Sequence, residues 1–423
     1  MAASSQRASS STSRWRRRYD PPVSPLLDAL TLGAGYNATL VAVGAGLLGV
    51  AAGTSGTFLF LRKRALVSDA LAHATLPGIA IAFIVMVALG GDGRNLAGLL
   101  TGSALSAIAG LLVVDALTNH TRLAQDAAIG AVLSVMFGFG IVLMTVIQTM
   151  TAGRQAGLES FLLGATAGML YGDALLIAVG AAASLALVIV LRRLMTIVAF
   201  DAGFAEASGI PVRAVDLAMM GLVLAVTVIG LKLVGLVLVV ALLIIPPVSA
   251  RFWTDRINIV LLLAGLFGGV AGYVGAAISA VAPALPTGAI IVLCAFSLFL
   301  VSMLFSPHRG VLAAAVTRRR FAVKVHRRQG LLALAKGEAI YDPMTLAVLR
   351  REGFIRADGV ATDAGEAEAA KARLDEARWL KARSLFDADE LAGQPDFLGA
   401  IENVFTPDQI AAIDRALATP RAA

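Results

Sequence analysis

Nine runs of apolar residues, each close to the length that crosses a hydrocarbon core of ~30 Å, fill the first three quarters of the chain. They cover residues 37–61, 68–89, 96–117, 126–148, 172–197, 213–231, 233–250, 257–280 and 287–306. Such runs read as helices, because a bilayer offers backbone N–H and C=O groups no partner but each other. The stretch GLESFLLGATAGMLYG (157–172) is too short and too rich in glycine to span, and is expected at the interface or re-entering. After about residue 325 the pattern changes. Charges return, apolar positions recur with helical period, and Ala357-Asp358-Gly359 signals a turn. The expected fold class is an all-α polytopic membrane protein with about 8–10 transmembrane helices, plus a small, mainly helical domain. The expected divisions are a basic, disordered leader (1–36), a transmembrane domain (37–306), a basic juxtamembrane linker (307–328) and a terminal domain (329–423).

Composition agrees. Hydrophobic residues make up 58% and charged residues 15%, with mean hydropathy +0.82, where soluble domains carry about 25% charge. The single cysteine, Cys294, excludes a disulfide framework and a thiolate metal cluster. No apolar core follows the N-terminal arginines, so no cleaved signal peptide is expected. The net charge of +7 is unevenly placed: seven Lys/Arg and no acid lie between Arg309 and Arg328, whereas 11 basic and 16 acidic residues follow from Gln329 onward. Basic residues also gather at 62–64, 119–122, 191–194 and 250–256, which the positive-inside rule places on the cytoplasmic side with the C-terminus. Nine spans would then put the N-terminus outside, against the arginines of RWRRR at 14–18; an extra piece around 23–35 would reconcile the two. The acidic tail argues against a nucleic-acid partner. No G-x-x-x-x-G-K-[ST] loop occurs, so ATP hydrolysis is not expected of this chain.

The chemistry concentrates in VSDALAHATLPGIAIAF. Asp69 and His73, at i and i+4, share one face of an apolar helix. A carboxylate inside a membrane needs a cavity or a partner. One hard oxygen and one imidazole nitrogen suit first-row divalent ions such as Mn, Fe(II) or Zn. Two ligands hold an ion loosely, as transport requires, and a second copy of the pair would make four. An Asp–His contact that only pins helices, or an Asp69 cap, is the alternative. Asp115, Asp126, Asp173 and Asp216 fall near span ends, where solvated or capping roles are expected, and His120 and His308 read as bystanders.

LRKRALVSDALAHATLPGIAIAF resembles the signature of the permease subunits of manganese, zinc and iron ABC importers. Three further stretches resemble that family in order. FDAGFAEASGIPV (200–212) is similar to the loop that docks on the ATPase. GLVLVVALLIIPPVSARFWTDR (235–256) and GGVAGYVGAAISAVAPALPTGAIIVL (268–293) are similar to two late helices and their Leu-Pro-Thr-Gly turn. The resemblance, over roughly 37–306, implies metal coordination by Asp69 and His73. It also implies an ATPase-coupling loop with Phe200, Asp201, Phe204, Ala205, Glu206, Gly209 and Ile210, and gating or hinge positions at Pro77, Gly78, Pro246, Pro247, Pro286 and Gly288. Helix termination at Pro246-Pro247 is an equal alternative to a hinge there.

Two departures stand out: Ala72 where the family has serine, and Ala284 where it usually has aspartate. The tail resembles a winged-helix-like extension carried by some manganese and iron permeases, but its one histidine, His326, provides no repressor-type metal site. The resemblance further implies a bacterial inner-membrane importer moving Mn, Zn or Fe with no permanent cofactor. Its partners would be a cytoplasmic ATPase, an extracytoplasmic metal-binding protein, a second permease subunit and membrane lipid. A proton-coupled secondary carrier, and a membrane-anchored sensor acting through its C-terminal domain, are the rival readings.

Overall fold

The computed structural model describes residues 25–33, 35–91, 93, 95–150, 169–281, 285–385 and 401–418. Two compact units divide the chain, Met1–Val311 and Leu312–Ala423.

The regular elements among the first unit's described residues are all helices: α1 (Pro25–Leu30), α2 (Tyr36–Leu61), α3 (Ala65–Ala88), α4 (Leu96–His120), α5 (Gln125–Thr149), α6 (Tyr171–Phe200), α7 (Ala202–Ala207), α8 (Val212–Val234), α9 (Leu236–Trp253), α10 (Ile257–Ser279) and α11 (Thr287–Phe305). Eight of these are long and apolar enough to cross a membrane; a shorter apolar helix, Leu238–Trp253 within α9, answers to the ninth expected span. The chain is thus a polytopic all-α membrane protein. The helix limits lie within three residues of the expected ones because hydropathy and backbone satisfaction change at the same places.

The expected leader differs in one respect. Residues 25–30 form α1, tied down where Tyr273 Oη donates to Leu30 O at 2.7 Å. Six residues cannot span, so α1 does not supply an extra crossing. Residues 1–24 and most of 157–172 lie outside the described residues, as does Ala284.

Backbone contact builds the bundle. A Cβ on Gly49 would fall on the Gly268 carbonyl, and one on Gly268 on the Gly49 carbonyl, so α2 and α10 meet main chain to main chain. Small residues give close approach where lipid supplies no hydrophobic drive between helices. The large side chains that close the core, Phe58, Leu48, Leu71, Met195, Leu242 and Ile291, are fully buried. Helix α9 runs through Pro246-Pro247 to Trp253, so the termination alternative is set aside.

The second unit begins in α12 (Val311–Lys336), a single helix that carries the basic run and the start of the tail. Then come α13 (Pro343–Arg351), a turn with Gly359 at φ +85°, and α14 (Asp363–Leu385). One antiparallel bridge, Ile355 to Ala361, is the only β pairing among the described residues. After the 3-10 turn Ile401–Asn403, α15 (Pro407–Ala418) closes the unit. Two small cores hold it. Leu331, Leu349, Ile355 and Ala369 form one, and Trp379, Ala382, Ile401, Phe405 and Ile413 the other.

Candidate metal site

Helix α3 carries the Asp–His pair between two other helices. Gly78 lies against α4, where a Cβ would meet the Gly102 carbonyl oxygen, and the α5 backbone at Gly140 approaches Leu76 and Pro77. Pro77 sits inside α3 without breaking it. The neighbouring helices therefore close on α3 around its Pro-Gly step, one turn beyond His73.

Asp69 Oδ1 stands 3.4 Å from His73 Nε2, with the two side chains 35% and 23% exposed. That is longer than an ordinary N–H···O bond of about 2.7–3.2 Å. Two donor atoms sharing one ion, with bonds of about 2.0–2.2 Å and angles of roughly 90–110°, lie ~3.0–3.5 Å apart. The observed spacing falls in that interval. The imidazole packs edge-on to Phe137 of α5, with centroids 4.8 Å apart and an interplanar angle of 77°. Its Nδ1 is buried without a hydrogen-bond partner among the described residues. Metal-ligating histidines usually anchor that second nitrogen; here the ring is aimed by an aromatic edge. No group of three or more His, Cys, Asp or Glu that could hold a metal occurs among the described residues. Among the described residues the pair offers one carboxylate and one imidazole, and no third such side chain joins them.

The expected coupling residues share one end of the bundle. Asp201 caps α7, its Oδ1 accepting from Phe204 N at 2.9 Å. The helix closes with Gly209 at φ +77°, where Gly209 N donates to Glu206 O and Ile210 N to Ala205 O. That paired C-terminal bonding requires a left-handed residue, hence glycine. Ala205 is buried, whereas Phe200 and Phe204 are 62% and 60% exposed, with Glu206 also exposed. Two large aromatics are thus left uncovered on and beside a capped helix.

At the opposite end, Ser279 Oγ donates to Leu285 O at 3.0 Å and lies 2.7 Å from Thr287 Oγ1, joining α10 to the Leu-Pro-Thr-Gly turn. Pro286 precedes α11 and Gly288 lies in its first turn. His120 and His308 are exposed.

Asp173 does cap α6, accepting from Leu170 N at 3.0 Å. Asp115 and Asp216 depart from the solvated role expected of them. Asp216 accepts from Arg62 at 2.6 Å and from Arg64 at 3.1 Å. Asp115 pairs with Arg213 at 2.6 Å and accepts from Asn119 at 2.7 Å. Both carboxylates are only 14% exposed. The arginines were legible as loop charge, but the pairings join residues 98 and 154 positions apart, and no local pattern encodes them.

In the second unit, His326 Nδ1 lies 2.9 Å from Thr345 Oγ1 and 3.1 Å from Asp342 Oδ2. Asp342 also caps α13 through Thr345 N. Its side chain is committed to that cap, and the hydrogen bonds from Thr345 hold its carboxyl below the usual range.

Residues 36–306 match the ABC 3 transport family. The chain is 40% identical over 298 residues to the manganese transport system membrane protein MntC of Bacillus subtilis, covering 70% of this chain and 67% of that protein. It is 36% identical over 288 residues to the zinc transport system membrane protein TroC of Treponema pallidum, covering 68% of this chain and 95% of that one. Among solved structures, PsaBC from Streptococcus pneumoniae in complex with Fab aligns with a TM-score of 0.58 at 28% identity, over 69% of this chain and 98% of that one.

Proposed function

Because the chain belongs to the ABC 3 transport family, we propose that it is the translocating permease of an importer for divalent metal ions (Mn, Zn or Fe) in a bacterial cytoplasmic membrane. The observation that carries this reading is the Asp69–His73 pair, with its donors 3.4 Å apart on a membrane-crossing helix. The partly exposed carboxylate and imidazole take an ion from the outside by replacing part of its hydration shell. Two ligands per chain keep the site weak, and a second permease subunit supplies the other half of the coordination. Mixed oxygen and nitrogen donors favour first-row divalent ions over alkali ions and over thiolate-selected Cu(I).

An extracytoplasmic protein delivers the metal, and a separate cytoplasmic ATPase drives the switch between outward- and inward-facing states. The ATPase contact is Phe200, Phe204 and the 201–210 turn, the end of the bundle where basic loops cluster. The C-terminus lies on that same cytoplasmic side. The tail is winged-helix-like and serves regulation or stability of the complex at the cytoplasmic face, against the ATPases or the twin permease.

Uptake of radioactive Mn, Zn and Fe by cells carrying the full transporter tests the reading. Asp69→Ala and His73→Ala should each abolish ATP-dependent uptake while membrane insertion and ATPase co-purification persist. Normal uptake by both variants would refute the site.

A further inference from the structure

Seven and five residues before Asp69, two arginines converge on one carboxylate. Arg62 Nη2 and Arg64 Nη1 both donate to Asp216 Oδ2, at 2.6 and 3.1 Å. Arg62 Nη1 also donates to Val198 O near the end of α6, at 3.1 Å. The three charged side chains are 14–19% exposed. Even so, Arg62 Nε and Asp216 Oδ1 are buried without a hydrogen-bond partner among the described residues.

This cluster is a poor stabiliser. Burial costs charged groups several kcal/mol, and each unpaired buried polar atom costs ~1–3 kcal/mol more. Replacing such a shielded ion cluster by apolar side chains is often neutral or stabilising. What ions add is geometric: a fixed partner across a joint between elements. Arg64 is the residue directly before α3, and Asp216 lies in the first turns of α8, just after the α7 turn. Beside them opens a cavity of about 240 Å³ lined by Arg64, Asp115, Gln125, Glu206, Arg213 and Asp216. Glu206 comes from α7 itself. Gln125 Nε2 is buried and unpartnered among the described residues. The joint is thus charged, incompletely satisfied and bordered by free volume, which gives its two sides room to shift.

We propose that Asp216 is a positioning residue. Through Arg64 it ties the α7–α8 segment to α3, so that displacement of the coupling surface re-aims the Asp69–His73 pair. This rests on the permease reading above and adds to it the route between the ATPase contact and the metal site. Movement of α8 carries Asp216, Asp216 carries the arginines, and the arginines carry the start of α3. Asp69 follows within about one and a half helical turns.

The test uses the complete transporter in proteoliposomes, reading ions imported and ATP hydrolysed separately, with thermal stability and ATPase co-purification alongside. In Asp216→Asn, ATP hydrolysis should stay within about twofold of the parent while ions moved per ATP fall at least tenfold, and Asp216→Glu should recover most of that ratio. Arg64→Gln should give the same uncoupling, and the double variant should be no worse than either single one. If Asp216→Asn does not assemble, Arg64→Gln decides, because the Arg62–Asp216 pair is left in place. A parental ratio in Asp216→Asn or in Arg64→Gln overturns the inference alone. So does Arg64→Gln that loses assembly, since the contact is then structural. Parent vesicles that import no metal with ATP would bring down the permease reading, and this inference with it.

Discussion

Gly78 and Gly102 touch through their backbones: each occupies the place a side chain on the other would need. The α3–α4 crossing therefore has no slack just beyond the Asp69–His73 pair. Gly78→Leu should force the helices apart, at a cost of about 1–3 kcal/mol for overpacking, and should lower both thermal stability and metal uptake. Fluorescence-detected melting of the purified complex, compared with uptake, checks this. A variant with parental melting and parental transport would contradict the close packing.

The α7 turn makes a graded prediction. Asp201→Ala removes a cap worth about 1 kcal/mol, which should weaken ATPase association roughly fivefold if the helix must be formed to dock. Phe204→Ala removes exposed aromatic area itself and should cost more, at least tenfold. Glu206→Lys reverses charge on the same surface and should also weaken binding. Titration of ATPase onto permease in nanodiscs orders the three, and unchanged affinity in all of them would place the contact elsewhere.

The tail should be separable from translocation. Ending the chain at Arg328, just before the acidic part of the tail, should leave Asp69- and His73-dependent uptake at least partly intact while altering its rate, its regulation or complex stability. Complete loss of uptake with normal insertion would make the tail part of the pathway. Because residues from Gln329 onward carry more acid than base, the full-length protein in nanodiscs should show no sub-micromolar, salt-sensitive binding to duplex DNA that the shortened chain lacks. Such binding would overturn the acidic-tail argument.

Acid should loosen the last helix of the tail. Arg378 holds Asp414 by two hydrogen bonds of 2.7 Å, and those bonds keep the Asp414 carboxyl below its ordinary value. A depressed carboxyl contributes stability above its unfolded pKa of about 3.9, and that contribution disappears as pH falls through the lower folded value. Protection of α15 against hydrogen exchange, taken relative to the intrinsic rate, should therefore fall below about pH 4 in the parent, and Arg378→Gln should already show the lower protection at neutral pH. Equal exchange in the two proteins at neutral pH would show that the pair does not hold α15.

Hydropathy carried most of the fold because in a membrane the same property sets where a helix starts, stops and faces. The nine apolar runs became nine helices with small end shifts. Asp69 and His73 were legible since a four-residue spacing is a local fact. Arg64 and Asp216 were not: each looks like a loop or span-end charge, and only folding brings α8 to the entrance of α3. The aromatic support of His73 by Phe137 was equally hidden, because phenylalanine in an apolar helix is indistinguishable from lipid-facing surface until the neighbour is known.

The glycine seam between α2 and α10 bears on how the protein is made. Roughly 200 residues lie between the end of α2 at Leu61 and the start of α10 at Ile257. At synthesis rates of about 5–20 residues per second, the first long span emerges some 10–40 seconds before the helix that fits its backbone. During that interval its small-residue face stands in lipid without a mate. The nascent chain then depends on the insertion machinery or on provisional neighbours, and membrane quality control has its longest opportunity before the bundle closes.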